Sequence, residues 1–116
     1  MPVIKVWCLP ASQTEDNLRE LHKAIVKTVV ARTELGLKDE NDMTCLFPPD
    51  QMRYGLGSEV IVEVSGLFTK PERTWEVKQL LAEAMGDAVK ALYPKAKVEI
   101  FVSSFNQNED GFFVSD

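Results

Sequence analysis

The chain has 116 residues, 45% of them hydrophobic and 27% charged, the profile of one globular unit able to bury a core without disulfides or metal. Its net charge of −5 argues against a nucleic-acid binder, which carries a basic stripe, and against an anionic membrane surface. No apolar run nears the roughly 20 residues of a bilayer span, and Lys5 and Pro10 interrupt the only apolar stretch near the amino terminus, so no signal segment is read there and a cytoplasmic location is expected.

Val3 to Leu9 is apolar and β-branched, a strand ended by Pro10. Ser12, Thr14 and Asp16 supply helix-start chemistry, and Ser12 with Glu15 fits a capping box. Leu18, Leu21, Ile25 and Val29 then recur at helical spacing, and Gly36 reads as the helix stop. Met43 to Phe47 is a second short strand, and Pro48 to Gly57 a loop punctuated by prolines and glycines. Val60 to Gly66 is a third strand. Thr69, Pro71 and Glu72 mark a second helix start, with Pro71 in the first turn, where its missing N–H costs nothing. Val77, Leu80, Leu81, Ala84, Ala88 and Leu92 give that helix an apolar face, Pro94 ends it, and Val98 to Val102 is the fourth strand.

The pattern is one unit written twice, at an offset of about half the chain. Little residue identity relates the halves; the order of elements does. Each half reads β-α-β with a helical crossover, which pairs its strands in parallel. The expected architecture is therefore α+β: a single domain over residues 1–116 with pseudo-repeats of about 2–57 and 58–116, forming a four-stranded sheet with two helices on one face. Val60, Val62 and Val64, and Val98, Ile100 and Val102, should meet the helices. The opposite face mixes charge with Ile61, Phe101 and Trp7, a surface suited to cover by other subunits. The terminal GFFVSD, with Phe112 and Phe113, is expected to dock on a neighbour as an arm.

No metal cluster, Gly-rich phosphate loop or Ser-His-Asp arrangement is present, and no metal ligand is assigned. His22, the sole histidine, falls on a helix flank and takes no role. Cys8 and Cys45 have no metal or redox spacing and read as reduced, packed thiols. The chemistry lies in the first dipeptide. Removal of Met1 would leave Pro2 as a secondary amine at the head of a strand. An α-amino group has an unperturbed pKa of about 7.7–8.0. An apolar pocket and nearby cations lower it, giving a base at neutral pH.

A double β-α-β with Pro2 opening its first strand resembles the tautomerase superfamily over essentially the whole chain. The PPDQM of residues 48–52, with Gly57 and Ser58 following, is similar to the loop of the macrophage migration inhibitory factor branch, as is the VEIFVSSFNQNEDGFF ending. The resemblance implies a tautomerase-like fold assembled as a homotrimer with pockets between subunits, and Pro2 as the general acid/base of enol–keto interconversion. Lys38 lies at the spacing of that branch's pocket lysine. Lys70 and Arg73, in TKPER, lie where the dehalogenase and muconate-isomerase branches carry carboxylate-holding arginines. Arg73, with its planar fork, is expected to matter more than Lys70, a point charge. Glu99 and Phe101 stand where the inhibitory-factor branch has a pocket tyrosine and asparagine, so the resemblance makes them pocket residues while departing from its donor set. That branch's CxxC is absent, and no thiol-redox role carries over.

The function expected from the resemblance is a cofactor-free tautomerase or isomerase of small 2-oxo or enol carboxylates. The alternatives are a proline-dependent hydratase, dehalogenase or decarboxylase of the same superfamily, or a non-catalytic ligand-binding or signalling module on this fold. The expected partners are a small carboxylate and two further copies of the chain, with no nucleic acid and no membrane.

Overall fold

Two threonines start the two long helices. In the computed structural model, which describes residues 2–10, 12–50, 52 and 59–115, helix α1 runs Glu15–Ala31 and helix α2 runs Trp75–Leu92. The Thr14 hydroxyl accepts from Asn17 N at 3.1 Å, and the Thr74 hydroxyl from Val77 N at 3.3 Å, each satisfying an amide that the first turn leaves without a partner. The Ser12–Glu15 capping box is therefore not used, and TKPER is a turn before the helix rather than its first turn. Gly36 is not the stop of α1. That helix ends at Ala31 because Arg32 leaves helical geometry at ψ 83, and Gly36, at φ 71, instead closes a short 3-10 turn over Thr33–Leu35. The turn drives Leu35 into the core.

The strands are β1 Val3–Trp7, β2 Leu9–Pro10, β3 Thr44–Leu46, β4 Pro49–Asp50, β5 Glu59–Phe68 and β6 Lys97–Phe105. The main sheet has the order β3-β1-β5-β6. Strand β1 pairs parallel with β3, β5 pairs parallel with β6, and the two halves meet through the antiparallel β1–β5 pair. This arrangement relates the two β-α-β units by an approximate two-fold. The first strand is shorter than Val3–Leu9: Cys8 takes φ 71, a conformation uncommon outside glycine, and breaks it. Leu9–Pro10 then forms a separate two-stranded parallel piece with Pro49–Asp50. The third and fourth strands run longer than their apolar cores, and β5 carries a register shift between Val64 and Leu67, with Gly66 at φ 76. Of the loop read as Pro48 to Gly57, residues 51 and 53–57 lie outside the described residues, as does Ser58.

Alternation places Ile4 and Val6 of β1 and Val60, Val62 and Val64 of β5 on the inner face, all buried. They meet Leu21, Ile25 and Val29 of α1 and Val77, Leu81, Met85 and Val89 of α2. The α2 contact is a strict i, i+4 stripe, so Leu80 and Leu92, expected on that face, are exposed instead. Each fully buried aliphatic side chain is worth about 1.5–3 kcal/mol over leaving it in water. On the outer face the register sets Trp7 beside Ile61 and Glu99, and Lys5 beside Glu63 and Phe101. Trp7 Nε1 donates to Glu63 Oε1 at 2.5 Å, and Lys5 Nζ stands 5.9 Å from the indole centroid. Phe101 remains 54% exposed. At the carboxyl end Phe112 packs edge-on against its own chain's Phe68, with ring centroids 4.8 Å apart, and near Phe105. The arm is therefore partly docked in cis through Phe112, which stays 57% exposed, while Phe113, at 88% exposure, and Val114 face outward. No helix is long and apolar enough to cross a membrane among the described residues.

Candidate active site

Pro2 precedes β1 and is held through its main chain: its carbonyl accepts from Thr44 N at 3.0 Å, extending the β1–β3 ladder by one bond. Its ring is buried. Because β1 runs antiparallel to β5, with Val3 opposite Ser65, the head of β1 lies beside the tail of β5. The bulge there redirects the chain so that Gly66 and Phe68 reach the proline. The 3-10 turn supplies Leu35, Gly36 and Leu37 from the other side. Between them is a cavity of about 300 Å³, with Pro2, Asp42, Lys70 and Arg73 also in its walls.

Arg73 is the bolt of this cavity. Its Nη1 donates to Phe68 O and its Nη2 to Leu35 O, both at 2.9 Å, tying the end of β5 to the 3-10 turn. Its Nε is buried without a hydrogen-bond partner among the described residues. Burial pulls the guanidinium below its ordinary pKa, while the charge of Glu72 pushes the other way. Lys70 is exposed at the cavity wall. Asp42, which no sequence signal marked, accepts from Lys38 N at 2.7 Å through Oδ2 and so presents a carboxylate to the same space. The sequence offered only a neighbouring cue, Asp39, whose side chain accepts from Asn41 N and starts the short 3-10 turn Glu40–Asp42.

Of the residues read from the sequence, the fold thus brings together Pro2, Lys70 and Arg73. Within one chain it does not bring Lys38, Glu99 or Phe101 to them. The Lys38 side chain lines a different cleft, with His22 and Glu40. Glu99 sits on the outer sheet face, its Oε1 3.8 Å from Lys97 Nζ. Phe101 lines a groove at the sheet edge, between β6 and the α2 residues Trp75 and Lys78. The separation has a simple cause. Lys38 leaves the turn on the α1 side, and odd-numbered positions of β6 point away from the helices.

The two cysteines are free thiols. Burial pushes Cys45 from its ordinary 9.0 up to about 11. A thiol held protonated in the fold but free to ionise in the unfolded chain contributes stability that is whole below pH 9.0 and lost as pH rises toward about 11. Urea midpoints across that range should fall less steeply in Cys45→Ala than in the parent, with equal slopes below pH 8.

No family model matches the chain, and no curated protein does. Solved structures do. A fused 4-OT in an asymmetric trimer is 15% identical, with 95% of this chain and 91% of that chain covered and a TM-score of 0.73. Malonate semialdehyde decarboxylase, described with decarboxylase and hydratase activities, is 14% identical over 100% of this chain and 92% of its own, with a TM-score of 0.66. A second malonate semialdehyde decarboxylase, inhibited by 3-bromopropiolate, is 16% identical over 100% and 91%, with a TM-score of 0.61. These proteins are members of the tautomerase superfamily. The four-stranded sheet with two helices in a β-α-β arrangement matches theirs, and the chain has the tautomerase-superfamily fold.

Proposed function

We propose that the chain is a cofactor-free enzyme of the tautomerase superfamily. Its Pro2, freed by removal of Met1, acts as general acid/base on a small 2-oxo or enol carboxylate. The observation that carries this reading is the buried proline sharing one cavity with Lys70 and Arg73. Burial and two cations both disfavour a protonated amine, so the ring nitrogen would be a neutral base near pH 7. The same cations would draw a carboxylate into the cavity and set its acidic C–H at the amine. Asp42 tempers the field of the cations and can take a hydrogen bond from a bound water or enol. A carboxylate beside the amine also favours the second reading, proline-dependent hydration or decarboxylation, in which that water attacks the substrate. The products separate the two: a ketonised acid with its carbon count intact, or a hydrated or shortened one.

The test uses 3-bromopropiolate. A neutral secondary amine adds to an electron-poor alkyne; an ammonium does not. Incubation at pH 7 should add one label per chain, found on the amino-terminal peptide at Pro2, in a protein whose intact mass lacks methionine. Label spread over surface lysines, or a retained Met1, would remove Pro2 from the chemistry and favour a non-catalytic module.

The proposed assembly is a homotrimer with its pockets between subunits. The outer face carries Phe101 exposed one register step from Ile61, and Trp75, at the start of α2, is exposed beside the β6 edge, more apolar area than a free surface needs. Phe113 and Val114 project beyond the chain that carries them. In such a trimer Glu99 and Phe101 of an adjacent copy would approach the Pro2 cavity, which a single chain leaves open. Sedimentation equilibrium at micromolar concentration should give three times the 13.0 kDa chain mass. A clean monomer would reject the assembly and, with it, any part for Glu99 and Phe101. The tie to the inhibitory-factor branch is part of the proposal too, resting on PPDQM and the Gly-aromatic ending.

A further inference from the structure

The segment from Leu37 to Asp42 is a wall with two sides. Leu37 and Asp42, at its ends, line the Pro2 cavity. Lys38, Asp39 and Glu40, between them, line a separate cleft of about 300 Å³ against α1. Hydrogen bonds within the segment brace it. Lys38 N donates to Asp42 Oδ2 at 2.7 Å, Asn41 N to Asp39 Oδ1 at 2.8 Å, and Asp42 N to Asp39 O at 3.1 Å. The cleft is therefore preformed, which lowers the cost of filling it.

Helix α1 supplies the other side. Val26 and Val30, one turn apart and both half-buried, give the cleft an apolar floor. His22, one turn earlier, ends that floor with a ring held edge-on to Phe47, the centroids 6.4 Å apart. Lys23 and Lys27 run beside the valines at the same spacing, and Lys38 joins them from the loop. All three lysines are exposed, and none makes an ion pair among the described residues. Lysine stems of this kind extend an apolar wall while their ammonium groups stay in water at the rim. Two carboxylates share the lining. Asp39 is turned to its own backbone by the bond from Asn41 N, and Glu40 is exposed. Three ammonium groups thus outnumber two carboxylates, a locally positive cleft in a chain of net charge −5.

We infer that this cleft is a binding site for a small organic anion with a flat apolar body, the body on Val26 and Val30 and the acid group among Lys23, Lys27 and Lys38. Lysine offers a point charge with rotatable donors, so the site selects charge rather than the planar or tetrahedral shape of the acid group. None of its lining residues belongs to the Pro2 cavity. Its test therefore stands apart from the reading of Pro2.

The full chain is titrated with toluenesulfonate and read by amide shifts in a two-dimensional NMR spectrum. Toluenesulfonamide, of the same shape without the charge, and benzylammonium are the neutral and cationic comparators. The sulfonate should move the amides of His22, Val26, Val30 and Lys38 and bind about tenfold tighter than the sulfonamide, the scale of a few exposed charge pairs together. Benzylammonium should leave those amides in place. The amides of Gly66 and Phe68 report the Pro2 cavity separately. Lys27→Gln combined with Lys38→Gln should erase the advantage of the sulfonate, because glutamine keeps the helix propensity of an exposed lysine and removes only its charge. Glu40→Gln should tighten sulfonate binding by taking a carboxylate from the rim. Equal binding of sulfonate and sulfonamide, sulfonate shifts confined to Gly66 and Phe68, benzylammonium shifts along α1, full sulfonate affinity in the lysine variant or no gain in Glu40→Gln would overturn the inference.

Discussion

Pro2→Ala is expected to lower the ketonisation of a small enol carboxylate by about 10²-fold or more, the usual scale for a positioned acid–base group. The substitution keeps a free α-amine but makes it primary, and it removes the ring that fixes where the nitrogen points. The main-chain anchor survives, because alanine also offers its carbonyl to Thr44 N. The first residue ahead of a strand tolerates either side chain, so the urea midpoint should hardly move. The loss should fall on kcat more than on KM, since the substrate is held by the cations and not by the base. An unchanged rate would mean that proton transfer runs through another group, and Asp42 is the one the cavity offers.

How much of this could be read from the residues alone depends on whether the cause is local. Alternation in Val60 to Val64 marks the inner face because a strand's side chains alternate whatever lies around it, and those three valines are buried as read. The parallel pairing inside each half follows from a helical crossover, and it holds. Lys70 and Arg73 are placed near the proline by the resemblance alone, and the fold brings them there because they follow β5, which pairs with β1. The misses have distant causes. VWCLP reads as one strand, and nothing local shows that Cys8 turns left-handed and that Leu9–Pro10 pairs with Pro49–Asp50, 40 residues on. Ser12 and Thr14 are both good caps; the fold selects Thr14, and Gln13 between them is engaged by Tyr93 of the other half. The acceptors of Arg73 are backbone carbonyls, one of them 38 residues away, and carbonyls have no letter in a sequence.

The part of Arg73 is the clearest case in which structure changes an expectation. Read as a free fork, it should grip the substrate carboxylate with two parallel hydrogen bonds. In the fold one N–H of each terminal nitrogen is already spent, on Phe68 O and Leu35 O, and those two bonds hold the cavity walls together. Arg73→Ala should therefore remove a wall as well as a charge. Hydrogen bonds to a charged group contribute about 1.5–3 kcal/mol each, and solvent at this half-buried site brings the expected stability loss for the two to the lower end, about 3 kcal/mol in all. On activity, a loss of 1.5–3 kcal/mol corresponds to roughly 10- to 150-fold in kcat/KM. It should strike an enol carboxylate and its uncharged ester alike, because both need the cavity. Lys70, exposed and with no such structural duty, is the residue that should tell acid from ester: Lys70→Ala should slow the acid, spare the ester and leave the urea midpoint unchanged. Arg73→Lys sharpens the distinction, since an ammonium keeps the charge but cannot span two carbonyls. If that variant restores acid turnover while the chain stays destabilised, Arg73 acts on the substrate through its charge. If neither recovers, its work is to hold Leu35 and Phe68 around Pro2, and Lys70 is left as the cation that meets the carboxylate.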